Sequence, residues 1–160
     1  MFFKFLNYIS PTWYFNLEPQ NKNVPYCVDY GLLNDDEKSV IHFDTNYSSA
    51  YISKLDAAYQ AWHKGIIKTD RKFNLQASSE KPKLTDEYYF IRKYYKSFLA
   101  VYILMIRVLS FHNPLHEFSA FYKTRRRVKT AVYDPVYFHA EYKNFQSPLL
   151  ISNPLISIII

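Results

Sequence analysis

The sequence predicts an α+β protein: a helix-rich region with short strands, ending in the first strand of an incomplete α/β domain. Two stretches, 49–64 and 86–111, combine apolar residues at helical spacing with residues that cap helices. Two apolar runs rich in β-branched residues, near 40–43 and at 155–160, are typical of strands. The second run is apolar at nearly every position, as in strands that are buried on both faces.

Composition supports a globular chain and excludes two kinds of nucleotide site. The 160 residues are 49% hydrophobic and include 16 Tyr and 13 Phe, which is enough apolar surface for a core. Loops that cradle phosphates need glycine for close backbone approach. Because Gly31 and Gly65 are the only glycines, a complete P-loop or dinucleotide fingerprint is excluded.

The net charge of +6 is unevenly distributed along the chain. Residues 1–80 carry a net charge of −1, whereas residues 81–160 carry +7. The second half therefore favours anionic partners, namely membrane lipid, phosphorylated substrates or nucleic acid. Cys27 is the only cysteine, which excludes an intrachain disulfide and fits a reducing compartment.

The first nine residues are apolar, but Pro11 follows closely and no small-residue cleavage site ends the run. This pattern predicts a short buried segment rather than a cleaved signal peptide, with contact at a membrane interface as the alternative. The rest of 1–30 is broken by prolines and predicts irregular or short-strand structure. A cytoplasmic location is expected, with peripheral attachment at the inner face of the membrane as its extension.

The first strong helix signal is at 49–64. Ser48 or Ser49 supplies a capping hydroxyl, and Gly65 suits the position after the last turn. The stripe predicted to face the core is Tyr51, Ile52, Leu55, Ala58, Tyr59 and Trp62. The acids of Asp35–Glu37, upstream, resemble a metal-binding group. An exposed turn with helix-capping potential is the preferred interpretation because no buried apolar strand precedes them.

A polar loop is predicted at 66–84, followed by a helix that runs to about Phe111. Thr85 is its expected cap, and the acids after it suit the positive end of a helix dipole. Asn113 and Pro114 then predict the start of another helix. One face of that helix is predicted to hold Leu115, Phe118, Phe121 and Tyr122.

Residues 97–111 are apolar on all sides except for Arg107. Packing against protein, within this chain or from a partner, is the first interpretation. A helix lying in the membrane interface is the second. A membrane span is the third, because a span needs about 20 apolar residues and this stretch is shorter.

A basic cluster follows the last predicted helix. Next to exposed aromatic side chains it suits an anionic membrane surface, and it equally suits a solvated helix end that complements the helix dipole. Nucleic acid is disfavoured as a partner because the sequence contains no recognisable nucleic-acid-binding motif. The candidate contact residues are Lys123, Arg125, Arg126, Arg127 and Lys129.

Catalytic and metal chemistry receive little support from the residue pattern. His112 and His116 have the spacing of two ligands on one helical face, but Pro114 lies between them. A helix start is the preferred interpretation there, and a metal site the minor alternative. No motif brings together a nucleophile, a base and an acid, so no catalytic residue is assigned.

The run Asn153-Pro154-Leu155-Ile156-Ser157-Ile158-Ile159-Ile160 resembles the opening strand of the family 2 glycosyltransferases, which have a GT-A fold. In that family a Pro-x-Val/Ile-Ser-Ile-Ile-Ile run begins the nucleotide-sugar domain. Residues 113–118 and 125–127 are similar, less specifically, to the leader region of some bacterial members. The resemblance divides the chain into an aromatic-rich helical region at 1–150 and the start of a truncated catalytic domain at 151–160.

The resemblance implies a parent enzyme that transfers a sugar from a nucleotide-sugar donor to a glycan acceptor, usually with a divalent metal. Bacterial surface polysaccharide or glycoconjugate synthesis is the expected setting. The acidic residues that serve this chemistry in the family have no counterpart within 1–160. The chain is therefore expected to be inactive alone, with no catalytic, cofactor or metal residue of its own. The alternative function is a non-enzymatic module that binds a membrane surface or a partner.

Overall fold

A computed structural model describes residues 3–9, 27–68, 70–76, 78–126 and 129–130. These ranges are mostly helical, so the helix-rich part of the predicted α+β class is confirmed. The only β pairing in them is an antiparallel bridge between Val28 and Asn74. The predicted strand at 155–160, and the domain at 151–160 that it begins, lie outside the described residues. The helices are α1 Leu6–Ile9, α2 Asp35–Ser39, α3 Ala50–His63, α4 Leu84–Tyr94, α5 Ser97–Leu109 and α6 Pro114–Lys123.

The helix predicted at 49–64 is confirmed as α3, with both of its predicted ends. The Ser49 side chain accepts a hydrogen bond from the Ile52 amide at the start of the helix. Gly65 follows the last turn with φ of 75°, a left-handed conformation that glycine adopts without a steric penalty. The side chains of Ile52 and Leu55 from the predicted stripe are buried, as are those of Ala58 and Tyr59.

The strand predicted near 40–43 is wrong. Its place is taken by a non-regular segment that packs against α3, with Ile41 buried beside Ala57 and Ala61. The backbone of His42 pairs with the Gln60 side chain instead of with a strand. The His42 amide donates to Gln60 Oε1 at 3.0 Å, and Gln60 Nε2 donates to the His42 carbonyl at 2.8 Å. A side-chain amide thus satisfies the backbone groups that a sheet would have satisfied.

The single helix predicted at 86–111 is two helices, α4 and α5. The chain is extended at Tyr95 (φ −114°, ψ 169°) and at Lys96 (φ −66°, ψ 141°), and α5 begins at the next residue. The break allows α5 to fold back and pack on α4. With α5 packed on α4 and α6, the side chains of Ala100, Ile103 and Leu104 are buried.

The predicted start is wrong for α4 and confirmed for α6. Thr85 lies inside α4, and the start of that helix is capped by Asp86, whose Oδ2 accepts from the Lys83 amide at 2.8 Å. The predicted start of α6 is confirmed, because the Asn113 side chain accepts from the Leu115 amide at 3.0 Å. Pro114 occupies the first turn of α6, as predicted.

The main core is built largely from aromatic rings. Helices α4, α5 and α6 contact one another pairwise. The N-terminal segment packs on α4 through two ring pairs: Phe3 stacks on Phe90 with centroids 4.0 Å apart, and Phe5 meets Tyr88 edge-on at 4.8 Å. The prediction that the start of the chain is a buried segment is therefore confirmed for Phe3 and Phe5, since each is 1% exposed.

Candidate functional site

A lysine and two aspartates form a fully buried charged centre between α3 and α4. Lys93 Nζ lies 2.6 Å from Asp56 Oδ2 and 3.0 Å from Asp44 Oδ2. The side chain of Lys93 is 1% exposed, that of Asp56 0% and that of Asp44 4%. Unpaired polar groups at this depth would cost several kcal/mol each, so each of the three side chains depends on the others as bonding partners.

Hydrogen bonds from neighbouring side chains complete this centre. Asp56 accepts from the Tyr47 hydroxyl at 2.9 Å and from the Tyr94 hydroxyl at 2.7 Å. Burial raises the pKa of Asp56 above its ordinary value, although the Lys93 charge opposes that shift. Burial also acts to raise the pKa of Asp44, but hydrogen bonds, first from Tyr89, outweigh it and leave that pKa lowered. Because its groups are bonded to one another and shielded from solvent, this centre holds helices together and offers no surface to a substrate.

A second buried polar group joins α4, α5 and α6. Glu117 of α6 is 2% exposed and accepts a hydrogen bond from the Tyr88 hydroxyl at 2.7 Å. The Arg107 guanidinium of α5 binds the same carboxylate, with Nε 2.8 Å and Nη2 2.7 Å from Oε1. The one charged residue of α5 therefore points toward the protein, while the opposite side of the helix has no charged residue.

The outward face of α5 is entirely apolar or aromatic. The inward side chains of Ala100, Ile103 and Leu104 are buried. With 100° between successive residues, the exposed positions fall on the opposite side of the helix. Each is between 48% and 72% exposed. This face consists of Phe98, Val101, Tyr102, Met105 and Leu109.

The apolar surface continues through the turn after α5 and along α6. Phe111, which has a positive φ of 60°, is 99% exposed in that turn. In α6 the predicted face is found, but Leu115, Phe118 and Tyr122 are exposed and only Phe121 packs against the core. Of the twelve large exposed hydrophobic residues in the part of the chain that the structure describes, nine lie between 98 and 122. We refer to these nine residues as the outer apolar face.

The basic cluster adjoins this face at the end of α6. Lys123, Arg125, Arg126 and Lys129 are exposed, and Arg127 lies outside the described residues. The Arg125 guanidinium stacks on the Tyr122 ring at 3.5 Å from its centroid. Because Tyr122 belongs to the outer apolar face, cationic and apolar groups are in direct contact there.

The other groups considered from sequence do not form a site. His112 and His116 are exposed, and no cluster of three metal-ligating side chains occurs in the described ranges. Asn34 and Glu37 form a capping box at the start of α2, which confirms the helix-capping potential expected of Asp35–Glu37. These acids lie in a short helix and not in a turn. Burial raises the pKa of the Cys27 thiol to about 12, which keeps the thiol protonated at neutral pH.

Sequence reasoning missed both the buried centre and the orientation of α5. Lys93 lies 49 and 37 positions from its two partners, so no local pattern marks the pairs. The orientation of α5, by contrast, could have been predicted from the sequence. The only charged residue of the helix, Arg107, lies opposite the stripe at 98, 101, 105 and 109, which identifies two different sides.

Comparison of the chain with protein-family models, with curated proteins and with solved structures finds no match in any of the three. Among the described residues, no helix has the length and apolar character needed to cross a membrane. The third interpretation of 97–111, a membrane span, therefore has no support from α5, which has 13 residues.

Proposed function

We propose that α5, α6 and the basic cluster attach this protein peripherally to an anionic membrane surface. The observation that carries the proposal is the orientation of α5, whose only charge is turned inward while its outward face is apolar. A water-soluble helix normally has the reverse arrangement. A large exposed apolar surface in direct contact with cationic side chains is typical of an interface with lipid or protein.

Charge complementarity favours lipid as the occupant. Lys123, Arg125 and Arg126 stand at the end of the apolar stripe of α6, and none of them forms an ion pair with a described acidic residue. Near an anionic leaflet each Lys or Arg contributes about 1 kcal/mol of attraction. Burial of the α5 and α6 side chains in the interfacial region supplies the apolar part of the binding free energy.

Co-sedimentation with vesicles tests this proposal. We expect the chain to bind vesicles that contain phosphatidylserine, to bind pure phosphatidylcholine vesicles much more weakly, and to be released by salt. Met105→Glu/Leu109→Glu, on the outward face of α5, is expected to abolish binding. Val40→Glu/Ile67→Glu is the matched control because it also adds two acidic residues, at positions that are 45% and 48% exposed and lie away from α5 and α6 in sequence.

A second pair of variants tests the electrostatic contribution to vesicle binding. Arg125→Gln/Arg126→Gln is expected to reduce binding to phosphatidylserine vesicles by about tenfold or more, at about 1 kcal/mol for each charge removed. Lys38→Gln/Lys72→Gln removes the same charge elsewhere and is expected to leave binding unchanged. Equal, salt-insensitive binding to both kinds of vesicle would contradict the electrostatic proposal. A concentration-dependent dimer without vesicle binding would assign the outer apolar face to a second copy of the chain.

The glycosyltransferase relationship is a second proposal, and the sequence of residues 153–160 supports it. A membrane-attached leader region would hold such an enzyme close to a lipid-linked acceptor. Its test is the DNA beyond the Ile160 codon, followed by a sugar-transfer assay of the longer protein with nucleotide-sugars and a divalent metal. An in-frame Pro-Thr-Tyr-Asn-like continuation would support the proposal. A stop codon in an intact gene would contradict it.

A further inference from the structure

A cleft lies beside the end of α5, and its lining suggests a ligand site that does not depend on membrane attachment. It has a volume of ≈ 890 Å³ and is lined by three separate parts of the chain. The N-terminal segment supplies Lys4, Phe5 and Tyr8, the loop before α4 supplies Lys81, and the end of α5 with the following turn supplies Arg107 and His112. Clefts of about 300–1,000 Å³ are the usual size for small-molecule sites.

We propose that this cleft binds an amphiphilic phosphate ester, with the phosphate held by Lys4, Lys81 and Arg107. Lys4 and Lys81 are exposed, and neither ammonium group is within ion-pair distance of a carboxylate in the described ranges. Two lysines that line one cleft without an ion-pair partner among the described carboxylates supply charge that complements a phosphate dianion.

Arg107 is held in a fixed orientation at the cleft. Its Nε and Nη2 bind Glu117, and its guanidinium lies 4.9 Å from the centroid of the Phe5 ring. A guanidinium has five N–H donors, so the bonds to Glu117 and to the Tyr8 side chain leave further donors for other acceptors. An arginine that the fold orients in advance loses little entropy when it binds a ligand.

Among the described residues, Glu87 is the one carboxylate that lines the cleft, and it is already bonded to the backbone. Glu87 Oε1 accepts from the Lys4 amide at 2.9 Å, and Oε2 accepts from the Phe5 amide at 3.1 Å. Glu87 is 4% exposed, so its charge is set back from the opening. The same two bonds fix the backbone of Lys4 at the edge of the cleft.

The apolar walls indicate that the ligand is more than an inorganic ion. Tyr8, Pro82 and Leu84 line the cleft and are each partly exposed. A ring or a short acyl chain attached to the phosphate would contact these side chains. A membrane lipid and a soluble phosphate ester both supply this chemistry, and the two sources are distinguished by the probes below.

Isothermal titration calorimetry with monomeric probes tests the proposal without vesicles. Dihexanoyl phosphatidic acid represents the lipid source, phenyl phosphate represents the soluble source, and inorganic phosphate lacks an apolar part. Tighter binding of either ester than of inorganic phosphate supports the proposal, and the tighter ester identifies the source. Equal binding of all three, or no binding of either ester, would overturn it.

Variants locate the binding. Lys4→Gln/Lys81→Gln is expected to weaken ester binding by at least about tenfold, because two charge-assisted contacts are lost. Both lysines are exposed, so the fold is expected to survive, which an unchanged circular dichroism spectrum would verify. Lys72→Gln/Lys83→Gln is the matched control, since both lysines are exposed and neither lines the cleft. Undiminished binding in Lys4→Gln/Lys81→Gln would overturn the assignment.

One variant distinguishes a failure of the cleft proposal from a failure of the membrane-attachment proposal. The Met105→Glu/Leu109→Glu variant alters the outward face of α5 and spares the residues that line the cleft. It is expected to lose vesicle binding and to retain phosphate-ester binding. Loss of ester binding in this variant, with an intact fold, would show that the esters bind the outer apolar face and would overturn the cleft proposal.

Discussion

Lys93 of α4 and Asp56 of α3 form an ion pair of 2.6 Å in which neither side chain is more than 1% exposed. Asp44 shares the same ammonium group at 3.0 Å. These three side chains therefore connect α3, α4 and the segment before α3. Removing one member of such a group is costly because the remaining charges stay buried without compensation.

Lys93→Met is expected to lower the free energy of unfolding by about 3–5 kcal/mol, because it leaves two buried carboxylates without their cation. Urea denaturation measured by circular dichroism gives this quantity. Lys72→Met is the control, since Lys72 and Asp70 form an exposed pair of 3.1 Å whose loss costs at most about 1 kcal/mol. Equal effects of the two variants would contradict the buried centre.

Glu87 makes stability depend on pH in a defined direction. Burial raises its pKa from 4.5 to about 7, although bonds from the Phe5 and Lys4 amides oppose the shift. The folded state then retains a proton that the unfolded state releases between these two values. Stability contributed by Glu87 is therefore fully present below pH 4.5 and is lost as pH rises through about 7.

Glu87→Gln is expected to remove this slope, which amounts to up to about 3 kcal/mol across the window. The variant also loses one acceptor for the two backbone amides, so it is expected to be less stable than the wild type at acidic pH. Denaturant unfolding at a series of pH values measures both effects. The exposed Glu80→Gln is the control and is expected to keep the slope of the wild type. A wild-type slope in Glu87→Gln would contradict the prediction.

The two sides of α5 are expected to respond differently to substitution. Ile103 is 0% exposed, so Ile103→Ala is expected to cost about 2–5 kcal/mol of unfolding free energy. Met105 is 54% exposed, and Met105→Ala is expected to change stability by less than about 0.5 kcal/mol. Thermal and urea unfolding measure both values. A large loss in Met105→Ala and a small loss in Ile103→Ala would show that α5 has the opposite orientation.

These structural features differ in how far sequence determines them. Ser49 and Gly65 act on their own helix, so local chemistry was enough to predict both ends of α3. The break at Tyr95 and Lys96 involves neither proline nor glycine. The break lets α5 pack back on α4, which is a tertiary effect that no local signal predicts. The strand predicted at 40–43 failed for a similar reason, because its β-branched residues fit a sheet but a side chain of α3 took the place of a neighbouring strand.

The replacement of a strand by Gln60 leads to a prediction for His42. Gln60 is 1% exposed and bonds to both backbone groups of His42, at 3.0 and 2.8 Å. Gln60→Ala would leave the two groups without these partners, at a cost of about 1–3 kcal/mol for each that stays buried. The His42 amide is expected to exchange its hydrogen much faster in this variant, as measured by NMR. Gln76→Ala, at an exposed position, is expected to leave that exchange unchanged. Unaltered exchange in Gln60→Ala would show that other groups hold the 40–43 segment.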